Sequence, residues 1–363
     1  MGHLLLTGAT GMVGREVLAR AIEDPRFDRV SCLIRPDERR SADERLRDLC
    51  EHLDLPAGGK LRALSGDVTE PGLGVNLRQL SGVTHVLHCA ATVSFNHPLA
   101  EARRINVGGA RHVLDVCRRL KRLERLDAVS TCYVAGRRTG LIKESDLEHQ
   151  CGFHNTYEQT KYESEELLRA AMVDLPIAVH RLSIVVGDSR SGATGAWKVL
   201  YWPLKIVARG WLPVVPYDPN GRLDIVPVDF VADAIFALSR DPRTIGGTFH
   251  LAAGPGRDTT MGELFRRVFA QLHRRPPLRV PPVVFRQVIR PALMLAPSER
   301  LKRTLRTAIV YRPYLELRLQ FDTTQADELL TAAGVICPRV DDYFDTILRA
   351  AIDSDFGRRK LPS

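Results

Sequence analysis

The sequence predicts an α/β chain, a doubly wound parallel sheet followed by a smaller, mostly helical C-terminal lobe. Two observations carry this. Through the first half, short β-rich apolar runs alternate with longer segments of helical period, the pattern of strand–helix–strand units with parallel strands. After Asp188 that alternation gives way to frequent prolines and glycines, and from Thr259 onward to mostly helical sequence.

In order, HLLLTGA predicts a first strand and Met12 to Ala21 a helix; RVSCLIR predicts a second strand, and a charged helix follows around Ser41 to Leu53. KLRALSGDV and THVLHCAA are the third and fourth strands, the helix from Glu101 to Arg119 comes next, and LDAVSTCYVAG is the fifth strand. A helix from Tyr157 to Ala171 leads into PIAVHRLSIVVGD, whose apolar core suits a parallel strand covered on both faces. DIVPVDFVADAIFAL (224–238) reads as strand, turn and helix, and GGTFHLAAG as a short strand; both are expected to return to the main sheet. Residues 1–188, rejoined by 224–255, form the sheet domain in this reading, while 189–223 and 256–363 form the second lobe. AWKVLYWPLKIVARGWLPVVP predicts a helix with an apolar face.

The chain has 363 residues, 44% hydrophobic and 26% charged, enough for one large core or two smaller ones and unlike a disordered or fibrous sequence. No run reaches the roughly 18 apolar residues of a membrane span, and no basic stretch precedes an apolar segment with a cleavage site. A cytoplasmic protein is expected. Seven cysteines without C-x-x-C spacing predict reduced thiols. A net charge of +9 suits nucleic acid, an anionic membrane surface or an acidic ligand. The basic runs Arg118–Arg125 and Lys302–Arg306 carry apolar residues at helical spacing, so they read as solvated helix faces, with a phosphate-bearing ligand as the alternative and nucleic acid not expected.

Gly8, Gly11 and Gly14 follow a strand and open a helix. In that setting the first glycine turns the chain, the second lets backbone N–H groups approach a pyrophosphate, and the third lets helix and strand pack closely. The spacing resembles the extended branch of the short-chain dehydrogenase/reductase superfamily, with its Rossmann-type sheet. The resemblance implies dinucleotide binding by Thr7, Gly8, Thr10, Gly11, Met12, Val13 and Gly14, by Asp67 and Val68 beside the adenine, by Ala90 and Ala91 at the end of the fourth strand, by Asn106 on the next helix, and by Tyr157 and Lys161. It makes 1–188 the cofactor-binding domain and the second lobe the substrate lobe. At the end of the second strand, where Asp or Glu would bind the ribose hydroxyls of NAD, stand Arg35 and then Arg39 and Arg40. A guanidinium suits a 2′-phosphate, so NADPH is the expected cofactor; a solvated strand end is the alternative.

Tyr157 and Lys161 form Y-x-x-x-K, which puts both side chains on one helix face. A phenol has a pKa near 10, and a neighbouring ammonium favours its ionised form. The pair follows VSTCYVAG, where Thr131, measured back from Gly136, matches the superfamily's catalytic hydroxyl and Ser130 is a neighbour or helper. Strand alternation turns Cys132 away from Thr131. His149, Cys151 and His154 read as a polar loop and not as a metal site, since no fourth ligand follows at zinc spacing. No G-x-S-x-G is present to suggest a hydrolase.

The AATVSF and VPVDFVADAI segments, with GDVTEPGLGV and INVGG, resemble the fatty acyl-CoA reductases and the thioester-reductase domains of carboxylic acid reductases and nonribosomal peptide synthetases, the male sterility-type NAD-binding family. The resemblance covers residues 3–255; beyond it, YRPY (311–314) and the FD at 321–322 are similar to tails of bacterial acyl-CoA reductase-like proteins. It implies an acyl thioester on coenzyme A or an acyl carrier protein, reduced to an aldehyde and, by a second hydride, to an alcohol. Trp197–Trp211 and Ala292–Ala296 are candidates to line an acyl tunnel or to make a peripheral membrane contact, with packing of the second lobe as the alternative. Plant and animal acyl-CoA reductases carry a longer C-terminal domain and the multidomain reductases are fused to adenylation and carrier modules; neither is expected within these 363 residues. Two other readings stay open: an extended-branch enzyme acting on a sterol, a flavonoid-like compound or a sugar nucleotide, and a non-catalytic NADP(H)-sensing protein.

Overall fold

The computed structural model describes all residues except 57, 196, 198, 199, 211–213, 296–298, 300, 301, 303, 304, 306–310 and 359–363. Trp211, Ala296 and most of the Lys302–Arg306 cluster therefore lie outside the described residues. In chain order the first half contains β1 (Gly2–Thr7), α1 (Met12–Glu23), β2 (Phe27–Ile34), α2 (Ala42–Leu53), β3 (Leu61–Ser65), β4 (His85–His88), α3 (Leu99–Cys117), β5 (Arg125–Thr131), β6 (Gly140–Ile142) and α4 (Thr156–Ala170). There follow β7 (Ile177–Leu182), β8 (Ile184–Val186), α5 (Tyr201–Ala208), β9 (Val214–Pro216), β10 (Arg222–Leu223), β11 (Ile225–Pro227), α6 (Val228–Arg240), β12 (Thr248–Leu251), β13 (Thr259–Thr260), α7 (Met261–Gln271), β14 (Leu278–Val280) and β15 (Leu319–Phe321).

Seven strands form one sheet in the order β12-β7-β5-β4-β1-β2-β3, and every neighbouring pair is parallel. Because consecutive strands wind outward in both directions from β1, the switch between β1 and β4 opens a crevice at their C-terminal ends. Both faces are covered. Leu4, Leu6, Val17, Leu18, Leu46, Phe230 and Ile235 pack α1, α2 and α6 on one side; Leu5, Val86, Val113, Leu114, Leu126 and Leu168 pack α3 and α4 on the other. The charged helix α2 is fixed at its start by Ser41, which accepts from the Glu44 amide while Glu44 accepts from the Ser41 amide.

The segment expected to be one strand from Pro176 is broken into two. β7 stays in the main sheet, whereas β8 pairs with β11 away from it. Nor is β7 apolar throughout: His180 and Arg181 are fully buried in it. Arg181 is ion-paired to Glu165 at 2.7 Å, and His180 Nε2 meets Asp127 at 2.8 Å while its Nδ1 is buried without a hydrogen-bond partner, so an opposite charge faces each of these exceptions to the apolar pattern.

The second lobe is built from α5, α7 and the short β9–β14 pair, around Ile206, Val215, Phe265, Phe269, Val280 and Phe285. The C-terminal chain does not stay within it. β15 pairs with β6, the helix Thr324–Ala332 packs on α6 and β12, and the helix Val340–Asp353 packs on α7 and β11. The tail thus straps the lobe to the sheet domain, a packing the expected boundary at 256–363 did not contain.

Candidate active site

The glycine turn sits at the crevice, and steric distances explain each glycine differently. Gly8 has φ +78°, and a Cβ there would lie 2.6 Å from the Ala90 amide nitrogen; a Cβ on Gly14 would lie 2.0 Å from the Gly8 carbonyl oxygen. These two glycines let β1, the β4 end and α1 touch. Gly11 is crowded only by the Gly8 oxygen at 3.2 Å. It is the N-cap of α1 and provides no side-chain cap, and no acidic residue occupies the first turn. Open N–H groups and the positive end of a helix dipole suit a pyrophosphate, so the residues present fit a dinucleotide. Thr10 is exposed and Met12 half-buried on this turn, while the Val13 side chain packs into the core.

Around the turn, several residues expected to touch cofactor take internal partners. Thr7 is fully buried and shares a 2.8 Å hydrogen bond with His88, tying the ends of β1 and β4. The Asn106 carboxamide accepts from the Thr92 amide at 2.8 Å and donates to the Thr160 hydroxyl at 2.9 Å. It therefore holds the loop after Ala90 and Ala91 against α3 and α4, acting on the pocket's shape. Val68 is buried, and its carbonyl meets His112 at 3.0 Å. Arg35 is largely exposed and pairs with Asp67 at 3.3 Å. Asp67 also accepts from the Thr69 amide at 2.9 Å, and its carboxyl lies below the ordinary value because these hydrogen bonds and Arg35 outweigh the opposing effect of burial. Arg40 is engaged with Asp37 at 2.9 Å and Asp48 at 3.0 Å.

Thr131, Tyr157 and Lys161 converge where β5 ends. The Lys161 ammonium donates to the Val129 carbonyl at 2.7 Å, and burial lowers its pKa to about 8, partly countered by Glu165. Burial pushes Tyr157 up to about 12, against the Thr131 hydroxyl beside it, which favours the ionised phenol. The phenol is therefore neutral at pH 7. Thr131 is held by a 3.2 Å bond to the Leu182 carbonyl and accepts from the Tyr133 amide at 3.3 Å. Ser130 is not brought to this group: its hydroxyl donates to Glu165 at 2.7 Å, inside the buried Arg181 network. Cys132 points to the Arg181 carbonyl, and burial raises its thiol well above the ordinary value, so it holds no thiolate. The His149 ring bonds the Val134 carbonyl at 2.9 Å and the Cys151 amide at 3.3 Å, as a polar loop does.

Other residues complete the site without a motif to announce them. Phe95 lies 5.8 Å from Tyr157 and stacks on Tyr314 at 5.4 Å, ring centre to ring centre. Tyr314 donates to the buried Glu158 at 2.5 Å and accepts from Asn155 at 2.8 Å. Burial raises Glu158 to about 7. AATVSF and YRPY carry the family resemblance as segments, but nothing local in either places Phe95 against Tyr314. Beyond them, Leu200, Leu204, Val215, Met261, Leu264 and Phe285 line an apolar cavity that Tyr311 and Tyr314 border; Tyr311 in turn stands 5.7 Å from Phe95.

The NAD_binding_4 family, described as male sterility protein, matches residues 6–235. The chain belongs to this family. Residues 6–235 are accordingly an NAD(P)-binding domain of the extended short-chain dehydrogenase/reductase type. The chain is 27% identical over 281 residues to the fatty acyl-CoA reductase wat of Drosophila melanogaster, covering 66% of this chain and 54% of that one. It is 29% identical over 280 residues to the nonribosomal peptide synthetase asaC of Aspergillus flavus, covering 71% of this chain and 27% of that one. It thus spans about half the length of the first relative and about a quarter of the second. Among solved structures, the terminal R domain of the myxalamid PKS-NRPS pathway superposes with a TM-score of 0.82 at 26% identity, over 99% of this chain and 93% of that one. At 15% identity, a UDP-glucuronic acid 4-epimerase from Bacillus cereus in complex with NAD shares the fold alone, with a TM-score of 0.65 over 96% of this chain and 97% of that one. Among the described residues no helix is long and apolar enough to cross a membrane.

Proposed function

We propose that this protein is an NADPH-dependent reductase of acyl thioesters carried on coenzyme A or an acyl carrier protein, releasing an aldehyde and, after a second hydride, an alcohol. One observation carries the reading: the aromatic path from Tyr157 through Phe95 to Tyr311 and Tyr314 ends in an apolar cavity suited to an acyl chain. Apart from Arg286 and Arg290 the lining is apolar and aromatic, which suits an acyl chain better than a sugar, and the relatives' names point to acyl-CoA reduction and nonribosomal peptide synthesis.

Bound NADPH would supply the hydride. Gly8, Gly11 and the start of α1 would receive its pyrophosphate, and Arg35 its 2′-phosphate, exchanging a weak surface pair with Asp67 for a bidentate contact. Thr131 would orient the substrate carbonyl. Tyr157, neutral at pH 7, holds the proton that the developing oxyanion takes up, and Lys161, fixed on the Val129 carbonyl, keeps positive charge beside it. Departure of the thiol then leaves the aldehyde.

Peripheral membrane contact is supported by exposed Val283, Val288 and Leu295 in the same lobe. The reading is tested by following NADPH oxidation with medium- and long-chain acyl-CoAs and acyl carrier proteins. Thioester-dependent turnover should fall about 10²- to 10⁴-fold in Tyr157→Phe while NADPH still binds. Absence of turnover on every thioester would overturn it.

A further inference from the structure

A thioester has two arms, and the apolar cavity accounts for one. Phe95 lines a second opening. It is a cleft between the loop 137–139 and the segment 313–318, lined by Arg137, Arg138, His154, Glu316 and Arg318 besides Phe95. It carries three guanidinium groups in a largely polar lining, whereas the acyl cavity has two, Arg286 and Arg290, in an otherwise apolar and aromatic one. We propose that this cleft binds the phosphate end of a pantetheine arm, with Arg137 as the anion ligand. The proposal rests on the thioester reading and adds the recognition of the carrier side.

The arginines are not equivalent. Arg138 is tied to Asp146 at 2.8 Å and Arg318 to Asp218 at 3.0 Å. Arg137 is exposed, and among the described residues no carboxylate forms an ion pair with it. Its positive charge still reaches the active site, where it opposes the rise in the Glu158 pKa. The loop that presents it is fixed. The Arg137 amide donates to the Gly152 carbonyl at 3.0 Å, and Gly136 has φ +58° with the Gly152 oxygen only 2.3 Å from where a Cβ would stand. The opposite wall is joined to it by the β6–β15 pairing and by the Gly140 amide donating to the Arg318 carbonyl at 2.8 Å. Both walls start from elements that build the catalytic group, since Arg137 follows Thr131 at the end of β5, and 313–318 contains Tyr314. Glu316 also lines the cleft. A fork of N–H donors held in a fixed loop suits a phosphate oxygen pair, and the acyl carbonyl then falls at Phe95 and Tyr157, between the two openings.

The test compares acyl-CoA, an acyl-phosphopantetheine carrier protein and an acyl-N-acetylcysteamine thioester, which lacks the phosphate. The readout is the ratio of kcat/KM for each phosphorylated substrate to that for the truncated one. In Arg137→Glu that ratio should fall about tenfold or more, the scale of a lost charge-assisted hydrogen bond, and Arg137→Lys should keep most of it. A fall for coenzyme A and carrier protein alike assigns the cleft to the shared phosphate; a fall for one alone names the source. An unchanged ratio, or an equal loss on all three substrates, overturns the proposal even with the reductase reading intact. Failure of every wild-type thioester would instead overturn that reading.

Discussion

Tyr157 and its sequence neighbour Glu158 show how one helix turn serves two purposes. Tyr157 faces the crevice as a neutral phenol, while Glu158 faces inward, fully buried, accepting from Tyr314 and from the His154 amide at 2.8 Å. Burial raises Glu158 from 4.5 to about 7. An acid whose folded pKa is raised binds more protons in the folded state between those values. Its contribution to stability therefore grows as pH falls from 7 toward 4.5 and is lost as pH rises through 7. Relative to Glu158→Gln, the wild-type protein should gain about 2 kcal/mol between pH 7.5 and 5.5. Denaturant titrations of both proteins at the two pH values measure this, and parallel pH dependence would show that the carboxyl does not titrate in this range.

At the scale of elements, the site depends on how closely α1 approaches β1. A methyl on Gly14 would overlap the Gly8 carbonyl, and α1 has to move to accept it. Gly14→Ala should cost about 1–3 kcal/mol from overpacking and remove measurable NADPH binding by fluorescence titration, because the displaced amides no longer converge on the pyrophosphate. Retained binding at wild-type affinity would mean that the turn adapts. The α3–α4 contact has a similar role through Asn106, whose carboxamide bridges the Thr92 loop and Thr160. The sequence places Asn106 in order with residues expected to contact cofactor; its bonds show that it holds the loop at Thr92.

The whole molecule shapes the apolar cavity. The apolar cavity is walled by α5, α7, β9 and the 285–290 segment, and the tail that returns over the sheet brings Tyr311 and Tyr314 to close it against Phe95. Leu264 is buried on α7 and lines this space. Leu264→Trp should shift preference toward shorter acyl chains, lowering the long-chain to short-chain ratio of kcat/KM about tenfold, the scale of losing a few buried methylenes at about 0.8 kcal/mol each. An unchanged chain-length profile with normal folding would place the acyl chain elsewhere.

By itself the sequence determined the winding of the sheet, the glycine turn and the order Thr131, Tyr157, Lys161, because local periodicity, turn chemistry and helix spacing are properties of short stretches. The same spacing left Ser130 and Thr131 side by side, and strand geometry separated them, sending Ser130 to Glu165. The tertiary structure decided what lies far apart in sequence. The Glu158–Tyr314 bond joins residues 156 positions apart, the split of β7 from β8 depends on β11 as partner, and buried Arg181 is tolerated because Glu165 and His250 face it. Such contacts arise from the global packing of apolar faces and the satisfaction of buried charges, which no local pattern records.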